Sequence, residues 1–267
     1  MGKGAAIFGP MLVTLNVEGR VATLTINRPD ARNAMSLDLL ADFHKRLDEL
    51  AAMYTFNAQG EVEGTPPIVC VITGAGKGFC AGMDLKQVLG IEGAAQRLLL
   101  QLGEVCHKVR MLPCVVVGAV NGAAIGGGCG LVTVCDLAIT YTDNKMGFPE
   151  VDLGICPAVI SAWLVRKIGA GPARKVLLTG GLLSGKQCFD LGIVTECVPT
   201  VADLPAAVDS TVKRLAGGSL NALSATKKLM NELDGSNDLA QARRAAELSA
   251  RVLSSPDSQA LLKAKLG

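Results

Sequence analysis

Few side chains in this chain are placed for chemistry, and the best of them are carboxylates close to glycine. Glu150 stands behind Pro149 with apolar residues on both sides, in Phe148-Pro149-Glu150-Val151. Apolar neighbours that withdraw a carboxyl from water raise its pKa toward neutrality, where it can both take and give a proton. A solvated loop carboxylate is the plainer alternative. Asp152 follows two residues later, so an extended segment would turn both acids to one side. Two glycine-rich stretches, Gly74 to Asp84 and Asn121 to Gly130, could aim backbone N–H donors at one ligand oxygen, because glycine lets the main chain approach closely. Tight packing of helix on strand is the other reading of the same glycines.

Other chemistries find less support. The two histidines, His44 and His107, both fall in helical patterns. The nine cysteines are odd in number, include no CxxC pair and mostly sit in apolar runs. That argues against a disulfide framework or a zinc site and fits a reducing compartment, cytoplasm or mitochondrial matrix. Lys and Arg total 26 against 24 acids, a balance that gives no nucleic-acid surface. No apolar stretch has the length of a membrane span. Met1 to Pro10 lacks a leader pattern, and Ala-Lys-Leu-Gly at the end is not a terminal peroxisomal signal. No P-loop lysine and no glycine fingerprint with an acidic partner is present.

The elements that must position these residues read as alternating strands and helices. Leu12 to Val17 and Val21 to Ile26 form a hairpin through Glu18-Gly19-Arg20. Ser36 caps a helix whose stripe is Leu40, Phe43, Leu47 and Leu50. Asn57 to Pro67 reads as a surface loop. Ile68 to Thr73 and Val115 to Val120 are β-branched apolar runs, expected as buried strands, and each leads directly into one of the glycine-rich stretches. In an open α/β sheet, loops leaving the carboxyl ends of strands line the ligand crevice. Ala95 to Val109 is a helical stripe that stops before Pro113. Helices are expected at Gly128 to Cys135, Val159 to Ile168, Pro172 to Leu178 and Gly185 to Phe189, with strands at Leu137 to Thr140 and Ile193 to Val198. Residues 1–200 thus read as an α/β core and 201–267 as a helical region for packing and oligomerisation.

The order and spacing of several segments resemble the enoyl-CoA hydratase/isomerase family, the crotonases. They are Asn27-Arg28-Pro29…Asn33-Ala34, Gly78-Phe79-Cys80-Ala81-Gly82-Met83-Asp84, Val120-Asn121-Gly122…Gly126-Gly127-Gly128-Cys129, Cys135-Asp136, and Phe148-Pro149-Glu150…Leu153-Gly154-Ile155…Pro157. The resemblance implies a crotonase-like α/β spiral core with a C-terminal helical region, assembled as a homotrimer or homohexamer. It implies a coenzyme A thioester as substrate and no permanently bound cofactor. The backbone N–H groups of Ala81 and Gly127 would hold the thioester oxygen as an enolate forms, with Glu150 as acid/base and Asp152 as a possible auxiliary. Arg28, Asn33 and Ala34 would lie on the adenine side of coenzyme A, with Lys77 and Asp84 nearby; Asp84 and Asp136 are more often loop organisers.

The same resemblance exposes a departure. Hydratases of the family usually carry a further glutamate where this chain has Gly130. The wording after Pro157, Ala158-Val159-Ile160-Ser161, is similar to methylglutaconyl-CoA-type hydratases. Hydration of a 2-enoyl-CoA is therefore the leading expectation. A double-bond isomerase, which needs one base, is the alternative, and a non-catalytic acyl-CoA binder a third.

Overall fold

The computed structural model describes residues 11–266; Met1 to Pro10 and Gly267, read above for targeting, lie outside them. The strands are β1 (Val13–Glu18), β2 (Val21–Ile26), β3 (Thr55–Phe56), β4 (Val62–Glu63), β5 (Val69–Gly74), β6 (Gly78–Cys80), β7 (Val115–Ala119), β8 (Ala123–Ile125), β9 (Leu137–Tyr141), β10 (Lys145–Gly147), β11 (Leu182–Ser184) and β12 (Glu196–Val198). The helices are α1 (Leu37–Ala51), α2 (Ala94–Met111), α3 (Gly127–Val134), α4 (Ala158–Ile168), α5 (Ala170–Thr179), α6 (Gly185–Asp190), α7 (Leu204–Ala216), α8 (Leu220–Leu233), α9 (Leu239–Leu253) and α10 (Pro256–Leu266).

Three strands set the architecture. In the larger sheet, ordered β1-β2-β5-β7-β9-β12, β5, β7 and β9 run parallel and side by side. Each turns a short corner into a strand of the smaller sheet, whose order β11-β10-β8-β6 keeps the same sequence of neighbours. The chain therefore repeats one turn of a spiral three times, each turn moving one strand along both sheets. β5 and β7 are apolar and nearly wholly buried, as strands covered on both faces must be.

The corners are stapled by asparagine side chains. Asn33 donates to Ala75 O and Gly78 O, Asn121 to Gly74 O and Gly76 O, and Asn144 to Gly122 O. A corner carries backbone groups that no ladder can satisfy, and a side-chain amide supplies the missing donors and acceptor together.

Four helices, α1, α6, α8 and α9, start at a side-chain cap. Ser36 accepts from Leu39 N at the start of α1, and Ser184 with Gln187 forms a full capping box on α6. The structure adds what the sequence reading passed over. β3, just before the expected loop of Asn57 to Pro67, and β4, inside it, make a small hairpin, and β6 and β8 lie inside the two glycine-rich stretches. The helical region also does more than offer an outer packing surface, because α9 packs along α2 and α4 of its own chain.

Candidate active site

The two glycine-rich stretches meet. A Cβ added to Gly82 would lie 3.6 Å from the Gly127 nitrogen and 2.7 Å from the Ile125 oxygen, so the loops touch through bare backbone. Gly127 is the first residue of α3, whose opening N–H groups have no partner within the helix. Among the described residues no acceptor takes the Gly127 N–H. The N-terminal end of a helix also favours negative charge, so this donor suits an oxygen that becomes anionic.

The first loop corrects an expectation. Ala81 N–H is spent on Arg32 O at 3.0 Å, so it cannot serve a ligand. Two residues on, Met83 pairs with Met35 in a parallel bridge, in which Met35 N donates to Gly82 O and Asp84 N donates to Met35 O. Those bonds use the groups on either side of Met83 and leave its own N–H without an acceptor among the described residues. Met83 also lines one small cavity with Gly127 and Glu150. The pair of free donors is therefore Met83 and Gly127. A bridge partner inside the Asn33-Ala34-Met35 segment was the missing signal, and it is long-range.

Glu150 is 7% exposed, and its Oε2 has no hydrogen-bond partner among the described residues. Loss of water pushes its pKa up to about 7, against a smaller lowering by its own backbone N–H. Its Oε1 lies 3.0 Å from where a Cβ on Gly126 would stand, and Gly126 has a φ of +53°. Glycine there is required twice, by the backbone and by the carboxylate.

The cavity has a volume of about 10 Å³, bounded also by Leu102, Ile160 and Ser249. Roughly 10–15 Å³ on this measure accommodates one water-sized group. Ser249 went unnoticed in the sequence because it comes from α9, far along the chain. Its Oγ donates to Cys156 O at 2.7 Å and accepts from Ala158 N at 3.0 Å, fixing the segment that carries the cavity wall.

Other assigned residues are placed differently. Asp152 is exposed and its Oδ2 accepts from Gly181 N at 2.8 Å, so it turns to the α5–β11 connection and does not support Glu150. The intervening segment is a 3-10 turn, Val151–Leu153, not an extended stretch. Over Gly130 stands Ile160, whose Cγ2 would be 2.1 Å from an added Cβ. Asn33 is fully buried with its amide groups spent on Arg28 N, Ala75 O and Gly78 O, so it braces the loop and does not contact a ligand. Asp84 pairs with Arg28 at 2.8 Å, and Arg28 also donates to Ala34 O, so these three hold the loop closed on itself. Lys77 is exposed. Asp136 is likewise structural, accepting from Val116 N and pairing with Lys227.

Alternative centres are poor. A roomier cleft of about 760 Å³ lies between the β3–β4 hairpin and α8, but its buried cation, Lys227, is committed to Cys114 O and Asp136. All nine cysteines are free, and burial pushes the Cys80 thiol up to about 12, far from a working nucleophile. Among the described residues no group of His, Cys, Asp and Glu could hold a metal, and no helix is long and apolar enough to cross a membrane.

Comparison with known proteins points to one family. The family model described as enoyl-CoA hydratase/isomerase matches residues 16–264. A short-chain-enoyl-CoA hydratase of Clostridium acetobutylicum is 34% identical over 76% of this chain and 73% of its own. A 2,3-dehydroadipyl-CoA hydratase of Escherichia coli is 33% identical over 80% and 79%. The crystal structure of an enoyl-CoA hydratase from Mycobacterium avium superposes with a TM-score of 0.81 at 28% identity, covering 96% of each chain. With two unspent backbone donors facing one buried carboxyl on a three-turn spiral, the chain belongs to the enoyl-CoA hydratase/isomerase family.

Proposed function

We propose that this protein is an enoyl-CoA hydratase that adds water to a 2-enoyl-CoA using Glu150 as its one acid/base. The observation that carries the reading is the buried, unpartnered Glu150 carboxyl beside the free Gly127 N–H. The thioester oxygen would accept from Met83 N and Gly127 N. Glu150 takes a proton from water as the water oxygen bonds to C3, and the C2=C3 pair shifts to leave an enolate on the thioester oxygen. Glu150 then returns its proton to C2. One O–H bond and the C2=C3 π bond break and a C–O and a C–H bond form, so the product is the hydrated thioester. Preorganised donors aimed at the developing charge are typically worth about 10²–10³ in rate.

One observation favours a second reading. Ile160 fills the space above Gly130 and Asp152 points elsewhere, so the cavity holds a single carboxylate. A single base suffices to move a proton from C2 to C4, which is the isomerase reaction. Lys77, exposed at the first loop, is the residue we assign to a coenzyme A phosphate. Exposed apolar side chains such as Leu178, Leu182 and Phe189 suit subunit contacts in a homotrimer or homohexamer, and nine free thiols suit a reducing compartment.

The experiment is incubation with crotonyl-CoA, 3-methylglutaconyl-CoA and a 3-enoyl-CoA in deuterated water. Hydrated product with deuterium at C2 supports the hydratase. A shifted double bond without hydration selects the isomerase, and tight binding without either product makes the chain a binder.

A further inference from the structure

The cavity beside Glu150 is too small, at about 10 Å³, to hold an acyl chain as it stands. Some of its walls must give way and others cannot. Met83, Leu99 and Leu102 are unbranched at Cβ and reach the cavity through flexible side chains. Ile160 is different in kind. It is β-branched, sits in the first turns of α4, and is 2% exposed.

Its seat explains why it cannot yield. Around α3, an added Cβ on Gly128 would strike the backbone of Cys80 at 2.2 Å, a contact between chain segments. At Gly130 the obstacle is a side chain, Ile160 Cγ2 at 2.1 Å. Ile160 therefore occupies the volume that any side chain at position 130 would need. It is wedged against the α3 backbone on one side and faces the cavity on the other. The N-terminus of α4 is itself pinned, since Ala158 N donates to Ser249 Oγ and Ser161 Oγ to Pro157 O.

We infer that Ile160, seated over Gly130, is the rigid wall that restricts this site to short acyl chains. The inference rests on the hydratase reading for its substrate class and names a specificity-determining pair within it. Short chains are accommodated by displacing Met83, Leu99 and Leu102. Longer ones would need room that Ile160 holds. One methylene more or less on a substrate in an apolar pocket typically changes selectivity about 10–200-fold.

The test uses the full chain and two readouts. Wild type should prefer crotonyl-CoA to 2-octenoyl-CoA in kcat/KM and bind butyryl-CoA more tightly than octanoyl-CoA by calorimetry. Ile160→Ala should raise the octenoyl-to-crotonyl ratio about tenfold or more and tighten octanoyl-CoA. Gly130→Ala favours the helix by propensity, so any loss must come from driving Ile160 into the cavity. It should lower crotonyl-CoA turnover, and Gly130→Ala with Ile160→Ala should recover it. If Gly130→Ala fails to fold, the Ile160→Ala ratios decide alone. Unchanged ratios and affinities in Ile160→Ala overturn the inference, as does a double variant no better than folded Gly130→Ala. If no enoyl-CoA is turned over but Ile160→Ala still shifts acyl-CoA affinity, the hydratase reading fails and the role of Ile160 stands.

Discussion

The two glycine-rich loops look alike in sequence and supply their donors in opposite ways. The second ends in the first turn of α3, where an unpaired N–H is a property of every helix start. Gly127 is therefore a donor by position, and its type and place in the chain are enough to identify it. The first loop is tied down as a strand, through Ala81 N to Arg32 O and the Met35–Met83 bridge. In a bridge, successive N–H groups point to opposite sides, so one is consumed and the next is free. Which one is free depends on register with a distant segment. A helix-end donor is legible locally, whereas a bridge donor is not.

The largest effect expected comes from removing the base between the loops. Glu150→Gln keeps the shape and leaves both donors in place. Loss of a general acid–base group typically costs about 10²–10⁴-fold in rate, or roughly 3–5 kcal/mol of barrier. Turnover and C2 proton exchange should both fall while acyl-CoA affinity holds. In the wild type kcat/KM should decline as pH drops through about 7, because the raised Glu150 must be ionised to take a proton from water. That acid limb should vanish in the variant.

The loop comparison itself is sharpened by replacing single amides with esters, through α-hydroxy acids at Met83 or Ala81. An ester at Met83 should lower turnover about 10²–10³-fold, the usual value of one hole donor, with little change in stability. An ester at Ala81 should instead destabilise by about 1 kcal/mol and leave the rate of folded enzyme near wild type. The reverse pattern would restore Ala81 as the donor and break the comparison.

A third effect has the opposite sign to the first. Burial raises the folded-state pKa of Glu150 from 4.5 to about 7. Between those values the folded state holds a proton that the unfolded chain has released. Stability is thus fully retained below the unfolded value and is lost as pH rises through about 7, by roughly 3 kcal/mol at most. Denaturant melts at pH 5 and pH 8 should show this decline in wild type and a smaller one in Glu150→Gln. A wild type with no such decline would mean that Glu150 is not desolvated.

Much of this was legible because it is local. Ser36 and Ser184 caps, the stripe of α1 and the buried runs of β5 and β7 all follow from neighbours within a few residues. Glu150 could be singled out for the same reason, since its apolar flanks lie next to it. The small sheet was not legible: β6, β8, β10 and β11 are three-residue strands, β6 and β8 inside glycine-rich sequence, and all are defined by partners distant in the chain. Ser249 and Ile160 reach the site through helix packing, which no local pattern encodes. Asn33 was noticed for its place in the resemblance, but its role as a staple required seeing the Ala75–Gly78 corner that it closes.

The smallest effect concerns Asp152, and it tests how far a sequence spacing of two can mislead. Such spacing puts two acids on one side only in an extended chain, and here the Val151–Leu153 turn rotates Asp152 away. Its carboxylate accepts from Gly181 N on an exposed surface, where one hydrogen bond typically contributes about 0.5–1.5 kcal/mol. Asp152→Asn keeps an acceptor and should leave both melting temperature and turnover near wild type. Asp152→Ala loses the acceptor and should cost about 1 kcal/mol or less, with turnover of folded enzyme unchanged within about twofold, since the residue has no path to the reacting atoms beyond Glu150. Turnover should be measured on both variants beside Glu150→Gln, at a pH above 7 where Glu150 is ionised. A large rate loss in Asp152→Asn with intact stability would mean that the carboxylate swings to the cavity during turnover, and that the site works with two acids after all.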